Sequence, residues 1–328
     1  PQYLSIVHDR LSPTTYEFYN HVIDNLIIPA LGHLKIKSIK PVHVQAFVQQ
    51  ISSMPANRHK KESDTDQKIS ANTVKRYLCV LQSIFKQAVK LDIIPINPAA
   101  AEKLTLQKVV APKIEIFTKQ EAAEMLSYLE QEELQFQALI QLAIMTGARR
   151  GELTALKFSD IDYNTKKITI ERAAIKLKGR PVATKPPKDY EVRTITVNDQ
   201  CISLIKMLKE EKEEQQIRLG NQWHDGDWMF TQWNGEIMNP QTPTKQFSKF
   251  LIKNNLKHRK FHSLRHTSAT LLLYGGVNIK QVQERLGHGD IETTNKYLHY
   301  LAEADEEAAT VLQDMLITKS DKKEIKHA

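Results

Sequence analysis

Apolar positions recur at helical spacing through most of the first third of the chain. They predict one helix over residues 12–31, opened by a Ser-Pro pair that suits a helix start, and a second, shorter helix over residues 41–51. The polar stretch 52–68 predicts a loop or insertion. The clearest amphipathic pattern spans residues 70–91. Its apolar stripe consists of Val74, Tyr77, Leu78, Leu81, Ile84, Phe85 and Ala88. This part of the chain therefore predicts a small helical domain.

The helix predicted over residues 70–91 carries basic residues away from its apolar stripe. Lys75, Arg76 and Lys86 lie mostly off that stripe. A basic outer face suits DNA binding, and a solvated lysine face on a small bundle fits the same pattern. We predict these three residues as DNA contacts and leave the solvated face as the alternative.

Composition changes after this helix. Residues 94–113 are rich in proline, alanine and lysine, which is typical of an extended linker between domains. We therefore predict a helical domain over residues 1–94, a linker over 95–113, a second domain over 114–300, and a C-terminal helix with a polar tail over 301–328.

The second domain mixes helical and strand patterns. Helical spacing or capping residues predict helices over 119–130, 134–145, 201–219, 246–256 and 279–286, with a further helix starting near Ala148. Alternating segments over 167–173 and 191–197, separated by a turn rich in Lys, Gly and Pro, predict a β-hairpin. The fold class expected for the whole chain is mainly α, with a small β-hairpin or sheet.

The stretch from residue 260 to residue 300 concentrates polar chemistry on short elements joined by glycine turns. His262 and Arg265 are three residues apart, so on a helix both side chains leave from one face and can converge on one anionic group. His288 directly follows a helix-ending glycine, and Tyr297 lies about one turn into a new helix that Asp290 could cap. This grouping points to a phosphate-handling site.

Charge and cysteine content favour an intracellular protein with a polyanionic partner. The 328 residues hold 46 Lys and Arg against 38 Asp and Glu, giving a net charge of +8, and the first 111 residues carry 14 basic against 8 acidic side chains. Two cysteines far apart predict neither a disulfide framework nor a zinc module. No apolar run approaches the ~20 residues of a membrane span. The start at Pro1 rather than Met indicates a fragment or a processed chain.

Four ordered motifs resemble those of the tyrosine recombinases, also called phage-type or lambda-type integrases. They are TGARRGEL at 146–153, HSLRH at 262–266, LGH at 286–288 and TTNKYLH at 293–299. The resemblance covers roughly residues 117–301. The box sequences look most like integrases of Gram-positive phages and conjugative elements.

The resemblance implies a role for individual residues. Arg149 and Arg265 would clamp the scissile phosphate, Tyr297 would attack it to form a 3′-phosphotyrosyl link, and Glu152 would help to orient the site. His262 would act as general base, and His288 would hydrogen-bond the phosphate. Lys188 is the preferred general acid, with Lys185 as the alternative. The basic residues Lys257, Arg259 and Lys260 add positive charge before His262 and are predicted DNA contacts.

The resemblance also implies a setting for the reaction. Two domains would close around duplex DNA as a clamp, and four protomers would exchange strands through a Holliday junction. Accessory DNA-bending or directionality proteins would be further partners. A C-terminal helix over residues 302–316 would dock in a neighbouring protomer or on its own chain. Neither metal nor ATP is expected, because the phosphotyrosyl bond conserves the bond energy. The bacterial cytosol is the expected location, at the nucleoid when active.

The expected function is integration or excision of a mobile element. Alternatives are a chromosome-dimer resolvase of the same family, a type IB topoisomerase-like enzyme, a catalytically silent DNA-binding relative, and a metal-dependent nuclease.

Overall fold

The computed structural model of this chain consists of two units. The structure describes residues 2–56, 68–109, 115–187, 192–295 and 297. Internal contacts divide the chain into Pro1–Pro112 and Lys113–Ala328. The polar segment predicted as a loop and the predicted C-terminal helix over 302–316 lie wholly or mainly outside the described residues.

The N-terminal unit is helical, and two of its helices begin at capping serines. Their bounds are α1 (Gln2–Val7), α2 (Pro13–Val22), α3 (Ile28–Leu31), α4 (Pro41–Ser52) and α5 (Ala71–Lys90). The Ser12 hydroxyl accepts a hydrogen bond from the Thr15 backbone N–H at 3.4 Å, and Ser70 accepts one from Thr73 at 3.2 Å. The core of this unit is built around the apolar stripe of α5, with Leu78 and Phe85 fully buried.

The helix predicted over residues 12–31 is interrupted by one wide turn. Residues Ile23–Ile27 form a π-helical segment, and the Ile28 backbone N–H donates to the Ile23 carbonyl, five residues back. Pro29 follows directly, and a proline has no N–H to continue the ladder while its ring crowds the carbonyl four residues before it. The wide turn therefore lies where α3 would otherwise clash with the preceding backbone.

The second unit is built around one buried helix. Its helices are α6 (Lys119–Leu129), α7 (Leu134–Thr146), α8 (Arg150–Leu153), α9 (Asp199–Leu219), α10 (Thr242–Lys253), α11 (Ser263–Tyr274), α12 (Ile279–Leu286) and α13 (Ile291–Asn295). Helix α7 packs against α9 and α11, and its residues Leu139, Ile140 and Leu142 are fully buried. The helix predicted over residues 134–145 is confirmed.

Two small antiparallel sheets flank these helices. The strands are β1 (Ile161–Asp162), β2 (Lys167–Ile170), β3 (Ala173–Lys176), β4 (Val182–Lys185) and β5 (Arg193–Thr196). One sheet has the order β1-β2-β5, with Ile168 opposite Ile195, and the other pairs β3 with β4. The predicted pairing of the 167–173 and 191–197 segments is confirmed.

The β3–β4 hairpin inserted between those partners was not predicted. Each of its strands has only four residues, and its turn composition, rich in Lys, Gly and Pro, masks the short alternation.

Helix boundaries differ from the prediction where caps intervene. Asn198 accepts a hydrogen bond from the Cys201 backbone at 3.0 Å, so α9 begins two residues earlier than its apolar pattern. Helix α10 begins at Thr242 with Pro243 in its first turn and ends at Lys253. Within the described part of the chain, helices long and apolar enough to cross a membrane do not occur.

Candidate active site

A buried carboxylate organises the start of α8. Glu152, 1% exposed, accepts hydrogen bonds from the Arg149 guanidinium at 2.8 Å and from the Arg149 backbone N–H at 2.9 Å. Its other contact is the Arg193 guanidinium on β5, at 2.5 Å. Burial alone would raise the pKa of Glu152, but the hydrogen bonds and charges of the two arginines outweigh it and lower that pKa. The carboxylate is therefore ionised and holds two cations in place.

Arg265 is anchored by backbone carbonyls rather than by a carboxylate. Its two terminal nitrogens donate to the carbonyls of Gly147 at 2.6 Å and Leu286 at 2.8 Å. The side chain is 3% exposed, and burial together with the nearby Arg149 lowers the pKa of Arg265 to about 9. The guanidinium still keeps its charge at neutral pH.

The turn after α12 brings the arginines together. Arg149 donates to the Gly287 carbonyl at 2.8 Å, and Arg193 Nε donates to the Arg285 carbonyl at 3.1 Å. Gly287 ends the helix at φ +64, and a Cβ there would lie 2.9 Å from a terminal nitrogen of Arg193. The LGH motif thus needs glycine both for its left-handed backbone and for the closeness of an arginine.

His288 follows this turn and is buried, with hydrogen bonds to both its ring and its backbone carbonyl. Its Nδ1 lies 2.8 Å from the Thr294 hydroxyl, and its backbone carbonyl accepts a hydrogen bond from the Gln283 amide at 2.9 Å. Its ring stacks on Tyr297 with a centroid distance of 6.2 Å and an interplanar angle of 16°. The LGH motif at 286–288 is therefore packed against Thr294 and Tyr297 of the following motif.

Tyr297 is 2% exposed, and its hydroxyl is paired with a histidine. Within the described residues, Tyr297 Oη is hydrogen-bonded to His266 Nδ1 at a distance of 2.8 Å. His262, the predicted general base, lies one turn earlier, and its ring meets the His266 ring edge-on at 4.6 Å between centroids. His266 was not a predicted site residue, although it closes the HSLRH motif.

The electrostatics of the site favour uncharged histidines. Burial, reinforced by the neighbouring arginines, lowers the pKa of His262 and His266 to about 4 and that of His288 to about 3. Burial raises the pKa of Tyr297, against the opposing pull of Arg265 and Arg149. At neutral pH the site therefore holds a protonated phenol, neutral imidazoles and charged guanidiniums.

One of the two candidates for the general acid lies among the described residues. Lys185 lies at the end of β4, half-buried and opposite Ala173. Lys188, the preferred candidate, lies outside the described residues. The identity of the general acid stays a prediction.

The predicted DNA contacts divide into exposed and buried side chains. Lys75, Arg76, Lys86, Lys257 and Lys260 are exposed.

Arg259 is a correction to the predicted group, because the side chain is 8% exposed and directed inward. It donates to the Ile116 carbonyl at 3.0 Å, lies 3.5 Å from a Glu121 oxygen and packs over Phe117. These partners make Arg259 a packing residue, since a basic run in sequence does not reveal which member turns into the protein.

Within the described segments, no group of three or more His, Cys, Asp or Glu side chains is arranged to hold a metal ion.

Glu152→Gln tests the buried ion pairs. Removing the charge leaves two guanidiniums close together without their counter-ion, which costs about 3–5 kcal/mol when a buried pair is broken. We expect the free energy of unfolding, measured by urea titration, to fall by that order. Glu213→Gln, in an exposed pair with Lys209 at 4.0 Å, is the control and should change it by less than ~1 kcal/mol. Equal effects would contradict a structural role for Glu152.

Acid should destabilise the second unit, because its buried histidines resist protonation in the folded state. The pKa of His266 is lowered to about 4 and that of His288 to about 3, both below the ordinary value near 6.5, so the unfolded chain takes up protons first as pH falls. The melting temperature should therefore drop as pH falls from about 6.5 toward 4. His288→Asn should flatten this slope relative to the exposed control His224→Asn. An unchanged slope would contradict the burial effect.

Comparison with known proteins places the chain in a family. The phage integrase family matches residues 115–304, and its N-terminal SAM-like domain matches residues 2–52. A tyrosine recombinase XerC-like protein of Caldanaerobacter subterraneus subsp. tengcongensis is 27% identical over 95% of this chain and 81% of its own length. The ICEBs1 integrase of Bacillus subtilis is 28% identical over 76% of this chain and 67% of its own length.

Solved structures share the fold. The Tn1549 transposon integrase in complex with transposon right end DNA has a TM-score of 0.74 at 19% identity, covering 93% of this chain and 97% of that one. A lambda integrase dimer bound to a core site has a TM-score of 0.61 at 20% identity, covering 90% and 75%. The family match spans more than half of the chain, and the two relatives are named as a tyrosine recombinase and an integrase. The chain therefore belongs to the phage integrase family and is a tyrosine recombinase.

Proposed function

We propose that this protein integrates or excises a mobile element by cleaving and rejoining duplex DNA through Tyr297. The observation that carries the proposal is the convergence of two anchored guanidiniums, Arg149 and Arg265, with the buried hydroxyl of Tyr297 in one histidine-lined site. Such a site combines a clamp for an anionic phosphate with a nucleophile that can bond to it.

The arginines would supply most of the electrostatic stabilisation. A phosphodiester repels nucleophiles through its anionic oxygens, and the transition state spreads negative charge over them. Guanidiniums stabilise that charge best when they are already oriented. Arg149 and Arg265 each have terminal nitrogens held by carbonyls 2.6–2.8 Å away, so they need little reorganisation to receive the phosphate. His288 would add a hydrogen bond to a phosphate oxygen.

The tyrosine would conserve the energy of the broken bond. Attack by Tyr297 Oη forms a 3′-phosphotyrosyl link and releases a 5′-hydroxyl, whose oxygen takes a proton from a lysine, Lys188 or Lys185. A 5′-hydroxyl from another duplex can then attack the phosphotyrosine, so the strand is exchanged rather than hydrolysed. Exchange between two duplexes requires four cleavages, which supports a tetramer acting through a Holliday junction.

The similarity to named integrases supports a mobile element as the setting. Relatives include the ICEBs1 integrase and the integrase of Staphylococcus phage L54a, which is 28% identical over 92% of this chain. The XerC-like relative favours the second candidate, a chromosome-dimer resolvase. The two differ in substrate, since an integrase acts on the ends that flank its own gene.

The N-terminal unit would grip the DNA backbone with α5. Lys75 and Lys86 project into solvent from that helix, and Arg76 lies 4.7 Å over the Phe18 ring, which fixes its guanidinium at the surface. In the second unit, the exposed residues Lys257 and Lys260 lie just before the start of α11. These positions suit contacts to phosphates, which position a protein on DNA without reading its sequence.

Covalent trapping tests the nucleophile. The protein is incubated in EDTA with labelled DNA from the ends flanking its own gene and then denatured. We expect a protein–DNA adduct that Tyr297→Phe abolishes, because phenylalanine lacks the attacking oxygen. Tyr274→Phe, a change at the end of α11, is the control and should retain the adduct. An adduct that persists in Tyr297→Phe, or cutting that depends on added metal and leaves no adduct, would contradict the proposal.

Salt dependence tests the DNA contact on α5. Each phosphate contact that is lost should lower the slope of log affinity against log salt concentration by about 1. We expect Lys86→Gln to weaken binding of the same DNA and reduce the slope by that amount in an anisotropy titration. Lys209→Gln, on the exposed face of α9, is the matched control and should leave both unchanged. Identical slopes for the two variants would remove Lys86 from the interface.

A further inference from the structure

We propose that His266 is a catalytic residue that orients the Tyr297 hydroxyl and accepts its proton, the role that the family resemblance implies for His262. The inference rests on the proposed function, since it concerns the nucleophile of that reaction. Its basis is the contact between His266 Nδ1 and Tyr297 Oη, which are 2.8 Å apart. That distance is the separation at which a general base takes a proton directly.

The position of His266 in α11 couples it to the phosphate clamp. His266 follows Arg265 immediately, and Arg265 is fixed by carbonyls of Gly147 and Leu286. The same helical turn therefore carries one arm of the clamp and the partner of the nucleophile. A phosphate bound by Arg265 would be delivered close to the oxygen that His266 holds.

The protonation states of Tyr297 and His266 are the starting state for a proton transfer between them. Burial raises the pKa of Tyr297, so its phenol does not ionise unaided at neutral pH and needs a base in contact. Burial, His262 and Arg265 lower the pKa of His266, so its imidazole is neutral and has a free lone pair. The tautomer with the proton on Nε2 leaves Nδ1 as the acceptor. The groups that face His266 are His262, Arg265 and Tyr297.

DNA binding would strengthen this base when it is needed. The positive charge of Arg265 disfavours a protonated His266 in the free protein. A bound phosphate adds negative charge beside Arg265 and so offsets that effect, which raises the proton affinity of His266. Deprotonation of the tyrosine is thereby linked to the arrival of its substrate.

His262 is left for a different contact. His262 is exposed to solvent on one side, although the protein packed around its ring is enough to lower its pKa, and the ring meets His266 edge-on at 4.6 Å. It follows that His262 can face DNA from the open side of the site while His266 faces the nucleophile. Of the two histidines of the HSLRH motif, His266 would then act as the base and His262 would contact the DNA.

The step balances without any added reactant. The Oη–H bond of Tyr297 breaks and its proton goes to His266 Nδ1, while the Oη–P bond forms. The P–O5′ bond breaks, its electron pair leaves on O5′, and that oxygen takes a proton from a lysine ammonium group. In the rejoining step, His266 returns its proton to Tyr297 as the phosphotyrosyl bond breaks.

The test compares single-turnover adduct formation in the full chain, using a duplex with the junction sequence that flanks the gene. We expect His266→Asn and His266→Ala to slow adduct formation by about 100-fold or more, the usual contribution of a general base. A trifluorotyrosine at position 297, whose phenol is more acidic, should recover at least about 10-fold of that loss. DNA affinity should stay within about threefold of the unaltered chain.

A second substrate separates the base from the acid. Replacing the bridging O5′ with sulfur gives a leaving group that needs no proton, so it rescues variants of the general acid. We expect no rescue of His266→Asn by sulfur, and for His262→Asn we expect no recovery by trifluorotyrosine.

Three results would overturn the proposal. They are adduct formation by His266→Asn within threefold of normal, rescue by sulfur, and a loss that trifluorotyrosine does not reverse. If the unaltered chain forms no adduct through Tyr297, the proposed function itself fails, which is a distinct outcome.

Discussion

The ion pairs of Glu152 are the constraint on which the rest of the site depends. A carboxylate that is 1% exposed is stable only when cations compensate its lost hydration, and Arg149 and Arg193 supply them from two different elements. Because Arg193 also donates to the Arg285 carbonyl, the same charge ties the start of α8, strand β5 and the end of α12 together. The orientation of Arg149 is therefore a consequence of packing around one buried anion.

The other arginines are held by the carboxyl ends of two helices. Carbonyls in the last turn of a helix lack partners within it and carry the negative end of its dipole, so guanidiniums are favoured there. At the end of α7, Arg285 donates to Met145 and Arg265 donates to Gly147. At the end of α12, Leu286 and Gly287 accept from Arg265 and Arg149. The site thus concentrates positive charge without a matching number of carboxylates, which leaves net charge for a phosphate.

Local patterns and long-range contacts explain what the sequence could and could not reveal. Helix α5 and buried α7 were predictable because apolar spacing reports burial directly, and the motif residues converge as a shared order of boxes implies. Arg193 and His266 were missed because their importance lies in partners 41 and 31 residues away. Arg259 was assigned to the surface because the basic run around it hides its inward partners. Periodicity carries no information about such pairings.

Under the proposed function, the state of Tyr297 implies that DNA binding and chemistry are coupled. Its hydroxyl is buried, protonated and bound to a neutral histidine, while the cations nearby make further protonation of the histidines unfavourable. These features keep the proton on the phenol in the free protein, because burial and the nearby cations make His266 too weak a base to take it. An anionic phosphate between Arg149 and Arg265 would reverse the electrostatic part of that effect. A nucleophile whose activation needs its substrate's charge is protected from cleaving where no DNA is properly held, which suits an enzyme that must rejoin every strand it breaks.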